Sequence, residues 1–111
     1  MTGELPKITS LASESSSEAS YDNHPIAQVN DHVVRINVMT QPCPWHVHPN
    51  SDETFLVIEG RLNIEFKDGT LELGPGRMVT VPRGLRHRTG PVRDRSVNLT
   101  FEAAKAQTVV D

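Results

Sequence analysis

The sequence predicts an all-β domain, a sandwich or barrel of short strands, on three observations. Runs of β-branched and alternating residues recur from Val33 to Phe101. Gly, Pro and Asp-Gly turns separate them, and no stretch carries a heptad, an internal repeat or a strand–helix–strand pattern. Full or partial closure of such a sheet also deals with its exposed strand edges. At 111 residues the chain makes one domain with a modest core, to which burial in a homodimer would add.

Residues 1–25 read as an N-terminal arm. Its first residues, through Lys7, form a loose tail. The segment 13–20 is biased toward serine and glutamate and taken alone looks like linker. A short helix is the other reading: Ser10 can cap it ahead of Leu11 and Ala12, although the serines weaken it by propensity. Either form is expected to dock on the β domain or on a partner subunit.

The β domain is expected over residues 26–104. Ile26 to Val29 is a short strand ending at the turn Asn30-Asp31. Val33 to Met39 is rich in β-branched residues, and Pro42 and Pro44 break it before the next strand. Thr54 to Ile58 is apolar and expected to be buried on both faces. Arg61 to Lys67 alternates polar and apolar without a fault, as a half-buried strand does. Asp68-Gly69 is a hairpin turn, and Thr70 to Leu73 returns from it. Met78 to Val81 follows the Gly74-Pro75-Gly76 turn and stops at Pro82. Val97 to Phe101 closes the β region. Residues 103–106 read as a helical turn or the start of a C-terminal tail over 105–111.

The formal net charge of −3 gives no global field for nucleic acid or a membrane surface. Arginines 77, 83, 86, 88, 93 and 95 crowd one segment, but no aromatic interleaving accompanies them, so no nucleic-acid partner is expected. The single cysteine, Cys43, excludes an intrachain disulfide and suits a reducing compartment. The first residues lack a signal-peptide core, and no run approaches the ~18 apolar residues of a membrane span. The expectation is a cytoplasmic protein with no membrane partner.

The chemistry concentrates at Trp45-His46-Val47-His48-Pro49-Asn50-Ser51-Asp52-Glu53. Alternate residues of a strand share a face, so His46 and His48 point one way and Trp45 and Val47 the other. The following loop can fold Glu53 back to the same point. Two imidazoles and a carboxylate converging are what a divalent transition metal needs. Downstream, the strand from Met78 meets the Pro82-Arg83-Gly84 turn and then His87, which can approach from an adjacent strand as a third nitrogen ligand.

These two stretches resemble the two motifs of the cupin superfamily. His46-x-His48, four residues, Glu53, six residues and Gly60 match the first motif, with Thr40 where the family has its leading glycine. Gly76, Pro82, Gly84 and His87 match the second, with Pro91 in place of its final Asn. Fifteen residues separate Gly60 from Gly76, as in small single-domain cupins of the mannose-6-phosphate-isomerase-like kind. The resemblance implies a jelly-roll or double-stranded β-helix barrel, often a homodimer. It also implies a metal held by His46, His48, Glu53 and His87. Zn, Fe, Ni, Mn and Cu all suit imidazole with one carboxylate, and four protein ligands leave octahedral positions open for water, substrate or oxygen.

The fold hosts dioxygenases, isomerases, lyases and decarboxylases as well as sensors, so it does not by itself fix a reaction. The expectation is a metal-dependent enzyme on a small, possibly anionic organic molecule. A non-catalytic small-molecule binding or sensor module is the alternative. Phe55 and Val57 share parity with Glu53 and are candidates for the cavity wall; plain core packing is their other reading. Met78 is a candidate to border the cavity. Arg83 stands for a cationic mouth that attracts a carboxylate or phosphate, against the plainer reading of a solvated rim. Trp45 is expected to face away from the metal, Cys43 to act as a small hydrophobe, and His24 and His32 to be ordinary surface histidines.

Overall fold

The computed structural model describes residues 3–111. After an extended arm comes the helical turn α1 (Leu11–Glu14), capped by Ser10, whose hydroxyl accepts from the Ser13 N–H at 3.3 Å. Strands follow: β1 (Tyr21–Val29), β2 (His32–Met39), β3 (His46–Val47), β4 (Glu53–Glu59), β5 (Leu62–Phe66), β6 (Gly69–Leu73), β7 (Met78–Val81), β8 (Arg88–Pro91), β9 (Ser96–Ala103) and β10 (Val109–Val110). β1 begins at Tyr21, ahead of the expected Ile26, and passes through Pro25 with a register shift between Pro25 and Ala27. Proline lacks an N–H and is tolerated on such an edge strand.

Antiparallel pairing builds a five-stranded sheet in the order β1-β2-β9-β4-β7. The opposing layer is β6-β5-β8, and the pair β10-β3 continues it through reciprocal backbone bonds between His46 and His87, each 2.9 Å. Cys43 adds a 2.9 Å bond from its N–H to the Thr89 carbonyl. The result is the jelly-roll arrangement of two facing sheets, with one side of the second layer made of short, interrupted strands.

The pleat sorts the side chains. Met39, Phe55, Val57 and Val81 of the large sheet meet Leu62, Ile64 and Leu73 of the small one in the core between layers. On the other face, Ile36, Val38, Val97 and Leu99 form a second buried cluster joined by Ile26, Val34, Leu56, Phe101 and Leu11 of α1. The outward face of the large sheet is thus apolar at its centre, whereas the inward face of the central strand β9 carries Ser96, Asn98, Thr100 and Glu102. β4 fits the two-faced burial expected of it as far as Leu56, but Ile58, beside a bulge between Val57 and Glu59, is 36% exposed. The turn after the bulge requires glycine: Gly60 has φ 73°, and a Cβ there would stand 2.2 Å from the Arg95 carbonyl oxygen.

Two strands were not expected. β8 contains Gly90 and Pro91 and is a strand only because β5 pairs with it. Gly90 fits because a Cβ would come within 2.9 Å of Pro42. β10 lies in what the sequence suggests is a tail; Val109 pairs with Val47 and Val110 with His46.

Candidate metal centre

Three pieces of backbone place the four expected ligands. β3 directs His46 and His48 inward from one edge. Glu53 opens β4 on the opposing sheet, on the same face as Phe55. His87 arrives on the far side of the Pro82–Gly84 turn and is fixed to β3 by the reciprocal bonds to His46. One ligand atom from each residue lies within 4.8 Å of the others, and the ring centroids of His46 and His87 are 4.5 Å apart. His48, Glu53 and His87 are buried, His87 to 1% exposure.

The outer ring nitrogens explain the orientation. His46 Nδ1 donates to the Pro44 carbonyl at 2.8 Å, His48 Nδ1 to the Gln107 carbonyl at 2.9 Å, and His87 Nδ1 to the Leu85 carbonyl at 2.8 Å. A carbonyl only accepts, so each Nδ1 carries a proton and each Nε2 turns to the common centre, where His87 Nε2 meets Glu53 Oε1 at 3.3 Å and an ion would take the lone pairs. His48 Nε2 is buried and makes no aligned hydrogen bond, although Glu53 Oε1 lies 3.2 Å away. An orphaned, buried imidazole nitrogen beside a carboxylate is costly unless a further partner occupies the space. Three Nε2 atoms and one carboxylate make a donor set that suits a divalent transition ion. The residues present therefore fit the group.

The electrostatics agree. The adjacent Glu53 carboxylate pushes His48 up to about 9, against the opposing effect of burial. Burial pushes the Glu53 carboxyl up, but His48 and His87 outweigh it and hold it at about 2. The centre keeps its carboxylate ionised and balanced by the proton on His48, with which a metal would compete.

Beside the centre opens a cavity of about 590 Å³, walled by His46, His48, Glu53 and Phe55 together with residues of β1, β2, β9 and the segment 103–110. Phe55 lines it and also belongs to the core between the sheets. Val57, Met78 and Arg83 do not line it. Val57 has the right parity but lies one pleat further along β4, sealed against Leu62 and Ile64 in the core. Met78 sits opposite Leu56 in the β4–β7 register, on the sheet's other face, and is 62% exposed. Arg83 lies outside, where its backbone N–H donates to Asp52 Oδ1 at 2.9 Å. None of the arginines at 77–95 reaches the cavity wall: Arg86 pairs with Asp111, Arg88 with Glu65 and Arg95 with Glu59. Trp45 faces away from the centre, with the guanidinium carbons of Arg86 and Arg88 at 4.6 and 5.3 Å from its ring. Cys43 is a buried core residue that also touches the wall, its sulfur 3.3 Å from Thr89 Oγ1. His24 is no ordinary surface histidine, since it bridges Glu14 at 2.8 Å and Asp22 at 2.9 Å.

Sequence reasoning missed Arg35, Asn37, Thr100 and Glu102, which furnish the cavity floor. A signal was available. Arg35-x-Asn37 and Asn98-x-Thr100-x-Glu102 place polar residues at the inward parity of otherwise apolar strands, which is the pattern of a lined cavity rather than a packed core. Burial, followed by the negative charge of Glu53, pushes the Glu102 carboxyl up.

With this geometry in place, the comparisons with known proteins are consistent. The Cupin_2 family model, a cupin domain, matches residues 32–100, and the chain belongs to that family. It is 43% identical over 101 residues to the uncharacterized protein YdbB of Bacillus subtilis (strain 168), covering 90% of this chain and 88% of that protein. Among solved structures it is similar to a cupin-2 domain containing protein from Shewanella frigidimarina, with a TM-score of 0.77 and 27% identity over 83% of this chain and 89% of the other. It also shares its fold with a candidate mannose-6-phosphate isomerase from Ralstonia eutropha JMP134, with a TM-score of 0.76 and 22% identity over 88% and 98% of the two chains.

Proposed function

We propose that this chain is a metal-dependent cupin enzyme that binds one divalent transition ion through His46, His48, Glu53 and His87 and acts on a small organic molecule held in the adjoining cavity. The supporting observation is the set of three imidazoles whose Nδ1 atoms are each tied to a backbone carbonyl, so that every Nε2 faces one point beside an ionised, buried carboxylate. A cavity of about 590 Å³ is of the size that takes a small metabolite. The bound metal would supply Lewis acidity toward a substrate oxygen, or the oxygen-binding centre of a dioxygenase if it is iron. The protein's own part is to orient the ligand: Phe55 packs against its apolar body, and the polar floor meets its heteroatoms. The reaction belongs to the dioxygenase, isomerase, lyase or decarboxylase classes.

The proposal includes a cytoplasmic homodimer. Leu5 and Ile8 of the extended arm are 87% and 99% exposed, which favours docking of the arm on a second copy. Among the described residues no helix is long and apolar enough to cross a membrane.

The test is metal analysis of the wild type and of His48→Ala, followed by turnover assays of the metal-loaded protein on a panel of small acids and sugars, with oxygen uptake recorded for the iron form. One ion per wild-type chain and its loss in the variant are expected, and unchanged metal content in the variant would refute the ligand assignment. Ligand binding without turnover of any panel member would mark a non-catalytic module.

A further inference from the structure

The cavity holds an ion pair that plays no part in the metal centre. Arg35 lies on β2 at the inward parity, opposite Thr100 of β9, which in turn stands opposite Phe55 of β4. The pair Glu102 and Glu53 forms the next inward step of the β9–β4 ladder. Arg35 therefore rises from the same floor as the candidate ligand Glu53, two strand spacings across it and two residues along it, or about 12 Å between backbones. Arg35 Nε approaches Glu102 Oε1 at 3.6 Å, beyond hydrogen-bond reach, and no other partner engages it among the described residues. The second carboxylate oxygen of Glu102 is buried without a hydrogen bond, in a side chain only 11% exposed.

This pairing is looser than most of the chain's other arginine pairs. Arg61 meets Glu72 at 2.7 Å, and Arg86, Arg88 and Arg95 each close onto a carboxylate. Among the described residues Arg35 is the one arginine or lysine on the wall, and no protein acceptor takes up its fork of donors within hydrogen-bond distance, which leaves the fork open to an anion entering the cavity. Charge points the same way. With a divalent ion at the centre, the ion, Glu53, Glu102 and Arg35 together carry one net positive charge, which a monoanionic group neutralises. A planar carboxylate can accept two bonds from a guanidinium, and charge-assisted pairs of this kind are the strong ones.

We propose that Arg35 is the substrate-anchoring residue of the cavity: it takes the carboxylate of a small organic acid whose other end reaches the His46–His48–Glu53–His87 centre, while Glu102 holds the guanidinium over the floor. The substrate is then a short acid with a second oxygen function three to five bonds from its carboxylate, the span left of about 12 Å once the reach of the Arg35 and Glu53 side chains is subtracted. This reading rests on the metal-binding function proposed above and adds the substrate class to it.

The test uses Co²⁺-loaded protein and two probes of nearly one shape, succinate and succinamate, titrated against the cobalt absorption band. Each can place a carboxylate on the metal, but only succinate offers a second. Wild type should bind succinate about ten- to a hundredfold more tightly than succinamate. Arg35→Ala and Arg35→Gln should bring that ratio close to one with cobalt stoichiometry unchanged, and Arg35→Lys should keep part of it as a point charge. Because the ratio is taken within each variant, a general loss of stability does not produce the result, and Arg35→Gln serves if the alanine variant fails to fold. A wild-type ratio near one, or a ratio that survives in Arg35→Gln, overturns the assignment while leaving the metal site standing. Failure of the wild type to bind cobalt overturns the metal-binding reading and this one with it.

Discussion

Deleting residues 107–111 is the perturbation that probes the centre most directly without touching a ligand. The deletion removes the Gln107 carbonyl that accepts from His48 Nδ1 at 2.9 Å, the Thr108 hydroxyl 3.2 Å from the same nitrogen, and the β10–β3 pairing that backs the histidine strand. His48 would keep its Nε2 but lose what fixes its tautomer and ring plane. Partners of metal-bound histidines are worth about ten- to a hundredfold in metal affinity, or about 1.4–2.7 kcal/mol. Two hydrogen-bonding groups leave together with a strand, so the upper half of that range is expected. The assay is competition for Zn²⁺ against a chromophoric chelator, with far-UV circular dichroism confirming that the remaining sheets are intact. Asn50→Ala is a gentler version, because Asn50 Oδ1 accepts the Gln107 N–H at 2.7 Å and its Nδ2 donates to the Lys105 carbonyl at 3.1 Å. A second arm checks the route. In the deletion protein Asn50→Ala should cost little further affinity, since residues acting through one group are not additive. Full affinity in the folded deletion protein, or an equal cost in both backgrounds, would refute the reasoning.

Two further expectations concern the scaffold. Burial is a minor influence on His24, whose pairing with Asp22 and then Glu14 raises it above its ordinary 6.5, while His24 lowers Asp22 below its ordinary 3.8. The histidine's contribution is full below 6.5 and fades as pH rises through its raised value; that of Asp22 is full above 3.8 and fades as pH falls. The melting temperatures of wild type and His24→Gln should therefore differ most near about pH 5 and converge in alkali, and a pH-independent gap would count against the pairing. Gly60→Ala should lower stability by about 2–4 kcal/mol, because it combines a left-handed backbone with a clash against a main-chain oxygen; denaturant unfolding with an unchanged midpoint would show that the turn relaxes.

The cluster of His46, His48, Glu53 and His87 was readable in the sequence because its members' relation is short-range. His46 and His48 share a strand face by parity, and a loop of a few residues returns the chain at Glu53. The Pro82–Gly84 turn announces His87 in the same local way. Val57 could not be separated from Phe55 by parity, because what distinguishes them is the depth at which Leu62 and Ile64 close the interior. Met78 was separable in principle: Val79 and Val81 pack into the core, so Met78 and Thr80 must face the other way. Arg83 was drawn in by the number of nearby arginines, whereas an isolated Arg35 inside an apolar strand carried the stronger meaning. β10 left no trace in the sequence. It is two residues long, and its partner strand lies some sixty positions upstream.

The three carbonyls that orient the imidazoles belong to Pro44, Leu85 and Gln107, and every amino acid offers a carbonyl. Selection on the ring orientation therefore acts on the path of the main chain and not on the identity of the side chains at these positions. Substitutions at 85 and 107 that leave that path unchanged are neutral for the metal, and the surroundings of the centre can drift in sequence while its ligands stay in place. A centre built this way would keep one geometry behind many different side chains and leave the cavity floor to set what it admits.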